Sequence, residues 1–189
     1  MEKGKSSILW GILYIYFCLY ILMYLVFIFV IDMVHVPLSA MSMFVVVMPF
    51  ILLVIIQKFI LHVSARRDKD KKQLFTVMMV ALIPLIVCTV QLSVNKYTSN
   101  FNQDRWLNYE EKRVHMVDDL LQQHKLIGKS NEEIIKLLGA PTKTSSLETG
   151  ITTLYYLGNE RGFIPIDSEY LVLQFDKDGR VIEYKVQRD

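Results

Sequence analysis

The sequence predicts an α-helical membrane anchor of three transmembrane helices joined to a small α+β domain, two helices packed on a three-stranded antiparallel sheet. Three observations carry that reading. The chain is 52% hydrophobic over 189 residues, too apolar for an ordinary soluble domain. Its apolar residues crowd into three long runs before Asn95. Beyond Lys96 the pattern changes to short amphipathic periods, capping residues and turns.

Charge divides the chain at the same place. Residues 1–95 carry 8 basic and 4 acidic side chains, and residues 96–189 carry 13 and 15, so the net +2 is +4 in one part and −2 in the other. A mildly acidic second part offers no basic face to nucleic acid. Cys18 and Cys88 both lie inside apolar runs, where a free cysteine acts as a small hydrophobe. The second part has no cysteine, so no disulfide or thiolate metal site can staple it.

The first span covers about residues 8–31, roughly 36 Å as a helix, enough for ~30 Å of hydrocarbon with some tilt. Its length, and the lack of a small-x-small cleavage site after it, favour a retained anchor over a signal peptide. Bulky Tyr16 and Phe17 before Cys18 do not suit a lipoprotein cysteine. Tyr16, Tyr20 and Tyr24 recur every four residues and stripe one face, a pattern expected to pack against another helix. Ile31 to Pro37 is a break without lysine or arginine, and Pro37 suits a helix start. The second span covers about 38–57, with Lys58 and His62 able to snorkel. Ala65 to Lys72 is a loop with five basic residues in seven positions, which the positive-inside rule places in the cytoplasm. The third span covers about 74–94, with Pro84 inside it as an expected kink. With Lys3 and Lys5 also inside, the N-terminus is cytoplasmic and everything after Asn95 lies outside the cell membrane. Asp32, His35, Lys58 and His62 all fall near span ends, so the mid-membrane region holds no ionisable chemistry.

Residues 96–105 read as a polar linker, and 106–189 as the extracytoplasmic domain. Phe101, Trp106 and Tyr109 have the amphipathic aromatic character of a membrane-surface belt. One helix is expected from Trp106 to near His124, with Trp106, Tyr109, Arg113, Met116, Val117, Leu120 and Leu121 on a 3.6-residue period. Ser130 and Glu133 form a capping box for a second helix, Asn131 to Leu138. Gly139 ends it in a left-handed conformation, and Pro141 forbids continuation. Strands are expected at Thr152 to Leu157, Tyr170 to Phe175 and Val181 to Val186. A four-residue loop, Asp176 to Gly179, would put Leu171, Leu173 and Phe175 on one face with Ile182, Tyr184 and Val186. Asp176 and Asp178 lack the further ligands of a calcium loop, so they read as turn chemistry. Gly128-Lys129-Ser130 lacks the upstream glycine and strand of a phosphate loop. His115 and His124 sit nine residues apart, a spacing that suits no metal pair.

The segments Arg113-x-x-Met116-x-x-Asp119-Leu120-Leu121, Leu126-x-Gly128-Lys129-Ser130-x-x-Glu133, Leu137-Leu138-Gly139-x-Pro141, Tyr156-Leu157-Gly158 and Leu171 to Phe175 with Asp176-x-Asp178-Gly179 resemble the SmpA/OmlA (BamE-like) domain family. The resemblance spans about Trp106 to Gln187. It implies a helix-helix-three-strand fold whose motif residues are structural: Arg113, Met116, Leu120, Gly128, Ser130, Glu133, Leu138, Gly139, Pro141, Tyr156, Gly158, Phe175 and Gly179. The best-known members are lipoproteins that assist outer-membrane assembly by binding, not catalysis. A three-helix anchor in place of a lipid-bearing cysteine suits the envelope of a single-membrane bacterium.

The expectation is a non-catalytic binding or scaffolding module of the bacterial cell envelope, without metal or cofactor, whose partners are membrane lipid and another envelope protein. A sensor signalling through its helices is the alternative. A hydrolase would need paired carboxylates, and Asp167 and Glu169 are the local candidates.

Overall fold

The computed structural model describes residues 2–63, 67–147, 150–162 and 166–189. The chain forms two compact units, Met1–Lys96 and Tyr97–Asp189.

The first unit is helical: α1 (Glu2–Met33), α2 (Ala40–Val63) and α3, which begins here and runs Arg67–Ser99. All three are long and apolar enough to cross a membrane. The buried residues recur at intervals of seven, four and three: Leu13, Tyr20, Tyr24 and Ile31 on α1, Val46, Leu53, Gln57 and Ile60 on α2, and Leu74, Ala81, Cys88, Leu92 and Asn95 on α3. That 3.5-residue period is the seam of side chains interlocking between helices at a shallow crossing angle. Cys88 is in the seam, whereas Cys18 is exposed, contrary to a packing role for both. Part of the expected basic loop, residues 65–66, lies outside the described residues. The remainder, Arg67–Lys72, is helical rather than loop. No residue from Arg67 to Gln73 is a glycine or proline, so nothing in the sequence breaks the helix there.

The tyrosine stripe packs as expected, with a specific chemical purpose. The Tyr24 hydroxyl donates to the Val46 carbonyl and the Tyr20 hydroxyl to the Ala81 carbonyl. Each acceptor lies three residues before a proline inside its helix, Pro49 in α2 and Pro84 in α3. A proline disturbs the helical hydrogen bonds just upstream, and a neighbouring helix must re-satisfy the loosened carbonyls. Tyr16 donates to the Pro49 carbonyl itself, at 2.7 Å.

The end of α1 closes in a Schellman turn. Val36 N–H donates to Ile31 C=O and His35 N–H to Asp32 C=O, with His35 at φ +54 where glycine is usual. Asn95 of α3 pins that turn, its amide donating to the Ile31 and Val36 carbonyls at 3.0 Å each.

The second unit contains α4 (Gln103–Asn108), a 3-10 turn (Glu110–Lys112), α5 (Arg113–Gln123), α6 (Asn131–Leu138), and strands β1 (Lys143–Leu147), β2 (Gly150–Asn159), β3 (Ser168–Phe175) and β4 (Val181–Arg188). The sheet is an antiparallel meander in the order β1-β2-β3-β4, so it has four strands, not three. The extra strand, β1, is an edge: Lys143 to Leu147 pairs with Gly150 to Leu154 and carries no apolar alternation that a buried face would demand. Pairing alone holds it, helped by Thr142, whose N–H donates to Leu154 C=O and whose hydroxyl accepts from Tyr156 N–H.

The 96–105 stretch is not an irregular linker. α3 continues to Ser99, and Asn102 caps α4 by accepting from Arg105 N–H. The single helix expected from Trp106 to His124 is broken at Tyr109, which adopts φ −131, ψ 77. The break lets Trp106 turn inward. It is fully buried, not a surface anchor, and its indole N–H donates to Leu138 C=O. Phe101 packs against the same core, while Tyr109 stays exposed.

The β3–β4 connection is a five-residue loop, Asp176 to Arg180, rather than four. The Asp176 carboxylate accepts from Asp178 and Arg180 N–H, and Gly179 has φ +73. Leu171 faces Val186 and Leu173 faces Tyr184, the expected register. A bulge then pairs Phe175 with Val181, which is buried, and leaves Ile182 exposed. The extra loop residue shifts the start of β4, and a bulge is how the remaining register is kept.

Candidate functional site

Helices cover one face of the sheet, and the motif residues lie almost wholly in that packing. Arg113 is buried. Its Nε donates to the Trp106 carbonyl at 2.7 Å and its Nη1 to the Tyr156 carbonyl at 3.3 Å, and its guanidinium lies 5.4 Å from the Trp106 ring. Burial holds its pKa below the ordinary arginine value, against the opposing pull of Glu110. Met116, Leu120, Leu138 and Phe175 are core residues. Gly128, at φ +86, lays residues 128–131 along the β3–β4 loop, donating to Val181 C=O. Ser130 and Glu133 complete the capping box, and the bond from Ser130 N–H lowers the Glu133 pKa. Gly139 has φ +82, ψ −169, a region more restricted to glycine than the expected left-handed one, and Pro141 follows before β1. Gly158 lies at a bulge in β2, with the backbone of Glu111 against its α-carbon. Gly179 closes its loop. Of the motif residues on the sheet, Tyr156 alone points to the uncovered side.

Strand register defines that uncovered face. One row across it reads Lys143–Leu154–Val172–Lys185, and the next reads Tyr156–Tyr170–Gln187. Strands spaced ~4.8 Å apart put the two lysines about 14 Å from each other, either side of an apolar pair. Both lysines are exposed, and no ion pair engages them among the described residues. The Tyr156 and Tyr170 rings meet edge to face, 5.7 Å between centroids. Beside them lies a cleft of about 340 Å³ between Thr142, Lys143, Tyr170 and Arg188, floored by Leu154 and Val172. On the other side of Tyr156 a second cleft, about 390 Å³, is walled by residues 108–112. The arrangement supplies two amphipathic rings and an apolar floor flanked by Lys143 and Lys185; Asp189 also lines the first cleft, Glu110 and Glu111 line the second, and Arg188 is paired with Glu160 and Glu169.

Glu169, one of the two carboxylates a hydrolase would use, lies on the opposite, helix-covered side. It is 1% exposed and accepts from Arg161 N–H and Arg161 Nη2 at 3.1 Å, with Arg188 Nε at 3.5 Å. Arg161 also pairs with Asp118. Asp167 is separate, its carbonyl accepting from Glu160 N–H. His124 packs edge-on against Phe101.

Lys143, Tyr170, Lys185 and Arg188 were not singled out by the sequence. The alternation Tyr170-x-Val172-x-Gln174 carried part of the signal, but without β1 the lysine row has no second end. Comparison with protein-family models, with curated proteins and with solved structures finds no match to this chain.

Proposed function

We propose that this chain is a membrane-anchored, extracytoplasmic binding module of the bacterial cell envelope, and that the open sheet face is the surface it binds with. The carrying observation is the row Lys143–Leu154–Val172–Lys185 beside the Tyr156–Tyr170 pair. An apolar centre with tyrosines, flanked by Lys143 and Lys185, which make no ion pair among the described residues, fits another envelope protein whose surface is apolar at its centre and carries carboxylates opposite the two lysines. The basic residues at 66–72 and at Lys3 and Lys5 support a cytoplasmic N-terminus with the second unit outside. The resemblance to the SmpA/OmlA domain fits the same role, binding without catalysis.

The test is a photo-crosslinking amino acid placed at Tyr170 or Lys185 in intact cells. The reading expects one discrete adduct from these positions and none from Lys125. It expects the Tyr170 adduct to vanish in a Lys143→Glu/Lys185→Glu variant. Equal crosslinking from Lys125 would sink it. Protease added to spheroplasts should digest the second unit and spare a tag at Lys69.

One observation favours the sensor alternative. α3 runs without a break from Arg67 to Ser99, and Arg105 caps its last turn by donating to the Tyr97 and Asn100 carbonyls at 2.9 Å. Replacing residues 1–94 with an unrelated anchor of the same orientation preserves function in a binding module and abolishes it in a sensor.

A further inference from the structure

α1 and α2 leave a slot between them, about 390 Å³, whose walls are Leu19 and Met23 on α1 and Met48, Ile51, Leu52 and Ile55 on α2. We propose that it is a binding site for the end of a single lipid hydrocarbon chain. The proposal rests on the membrane-embedded reading of the three helices.

Depth selects the ligand. Residues 16–23 lie near the middle of the Ser7–Met33 span, and residues 48–55 near the middle of Ala40–Val63. The slot thus straddles the centre of the bilayer, about 10 Å along the helix axis. A lipid headgroup has no place there, while chain ends do.

Polarity agrees. The only polar side-chain atoms lining the slot belong to Tyr16 and Tyr20, and both hydroxyls are spent on the carbonyls of Pro49 and Ala81. Pro49, which also lines the slot, has no N–H to offer. Nothing remains to recognise a polar ligand.

A partner helix is the rival occupant, and the wall residues argue against it. Helices associate in membranes by close approach at glycine, alanine, serine or threonine. None of these occurs from Tyr16 to Met23 or from Met48 to Ile55. The walls are long, branched or flexible side chains, with Met23 and Met48 able to mould around a thin chain. Leu19, Met48, Leu52 and Ile55 are each about half exposed, so the slot is open along one side for a chain to enter.

The experiment uses the full chain in phosphatidylethanolamine–phosphatidylglycerol nanodiscs containing a phospholipid with a diazirine at the end of one acyl chain. After irradiation, labelled peptides are mapped by mass spectrometry. Ile83 and Ile86, exposed residues midway along α3, report ordinary surrounding lipid. The slot predicts label enriched on Met23 and residues 48–55 over Ile83 and Ile86. Leu52→Trp, or Leu19→Trp on the opposite wall, should fill the slot and abolish the enrichment while leaving the α3 label unchanged. Equal labelling of slot and α3, or enrichment that survives both tryptophans, overturns the proposal. So does a disulfide-linked dimer formed in membranes by Met48→Cys, in a Cys18→Ser/Cys88→Ser background, because a second copy would then occupy the slot. Label on none of the three helices would instead overturn the membrane reading, and the slot with it.

Discussion

Gly158 offers the sharpest test of how the second unit is assembled. It sits at the β2 bulge with φ +123, and a β-carbon there would collide with the Glu111 carbonyl oxygen and lie 2.9 Å from the carbonyl carbon. Both obstacles are backbone, so neither can rotate away. Gly158→Ala therefore carries two costs: about 1–3 kcal/mol for a non-glycine residue at that φ, and about 1–3 kcal/mol for overpacking. Gly128 separates them. It also has positive φ, +86, but a β-carbon there meets nothing within 4 Å, so Gly128→Ala isolates the backbone cost. The chain has two tryptophans, Trp10 and Trp106. In a Trp10→Phe background, fluorescence reports the buried Trp106 of the second unit alone, and urea or thermal melts of the full protein in detergent can be read from it. A loss of ~1 kcal/mol should lower the midpoint by roughly 4–8 °C for a domain of this size. Gly158→Ala should melt well below Gly128→Ala. If the two melted together, the packing of the 3-10 turn against β2 would be refuted.

The other expectations use the same reporter or a thermal scan. Ser130→Ala removes the cap on α6 and should cost about 0.5–2 kcal/mol. The lowered pKa of Glu133 means its contribution is present above the ordinary glutamate pKa and lost as pH falls through the folded value; Glu133→Gln should flatten that acid limb, and an unchanged limb would count against the capping box. Burial pushes the Tyr155 hydroxyl up to about 12, with Arg113 pulling the other way, and that hydroxyl donates to Gly139 C=O at 3.1 Å. A raised tyrosine pKa stabilises below pH ~10 and is lost as pH rises toward the folded value, so Tyr155→Phe should remove a fall in stability between about pH 10 and 12. Tyr20→Phe and Tyr24→Phe should each lower membrane-unit stability by about 0.6–1.7 kcal/mol, read as thermal aggregation in detergent, whereas Tyr14→Phe, whose hydroxyl accepts from exposed Gln73, should not.

Much of this molecule is local physics and is readable in one dimension. Three apolar runs give three long helices because length and hydrophobicity are properties of a segment. Ser130, Glu133 and Gly139 mark the ends of α6 because capping involves residues three or four apart. The i, i+4, i+8 tyrosines announce a packed face, since helical geometry alone sets that spacing. Their acceptors are another matter: that Tyr24 meets Val46 and Tyr20 meets Ala81, each three residues before a proline, depends on how helices distant in sequence are aligned. The same holds for the second unit. Trp106 looks like an interfacial aromatic until the break at Tyr109 turns it toward Leu138 and Arg113. Val181 and Ile182 exchange faces because a bulge, invisible in alternation, absorbs the fifth loop residue. β1 shows no hydrophobic alternation, since Lys143 to Ser146 are all exposed and the strand is held by pairing with β2. The lysine-flanked face depends on that strand, so the candidate surface is created by tertiary pairing between segments whose own sequences do not announce it.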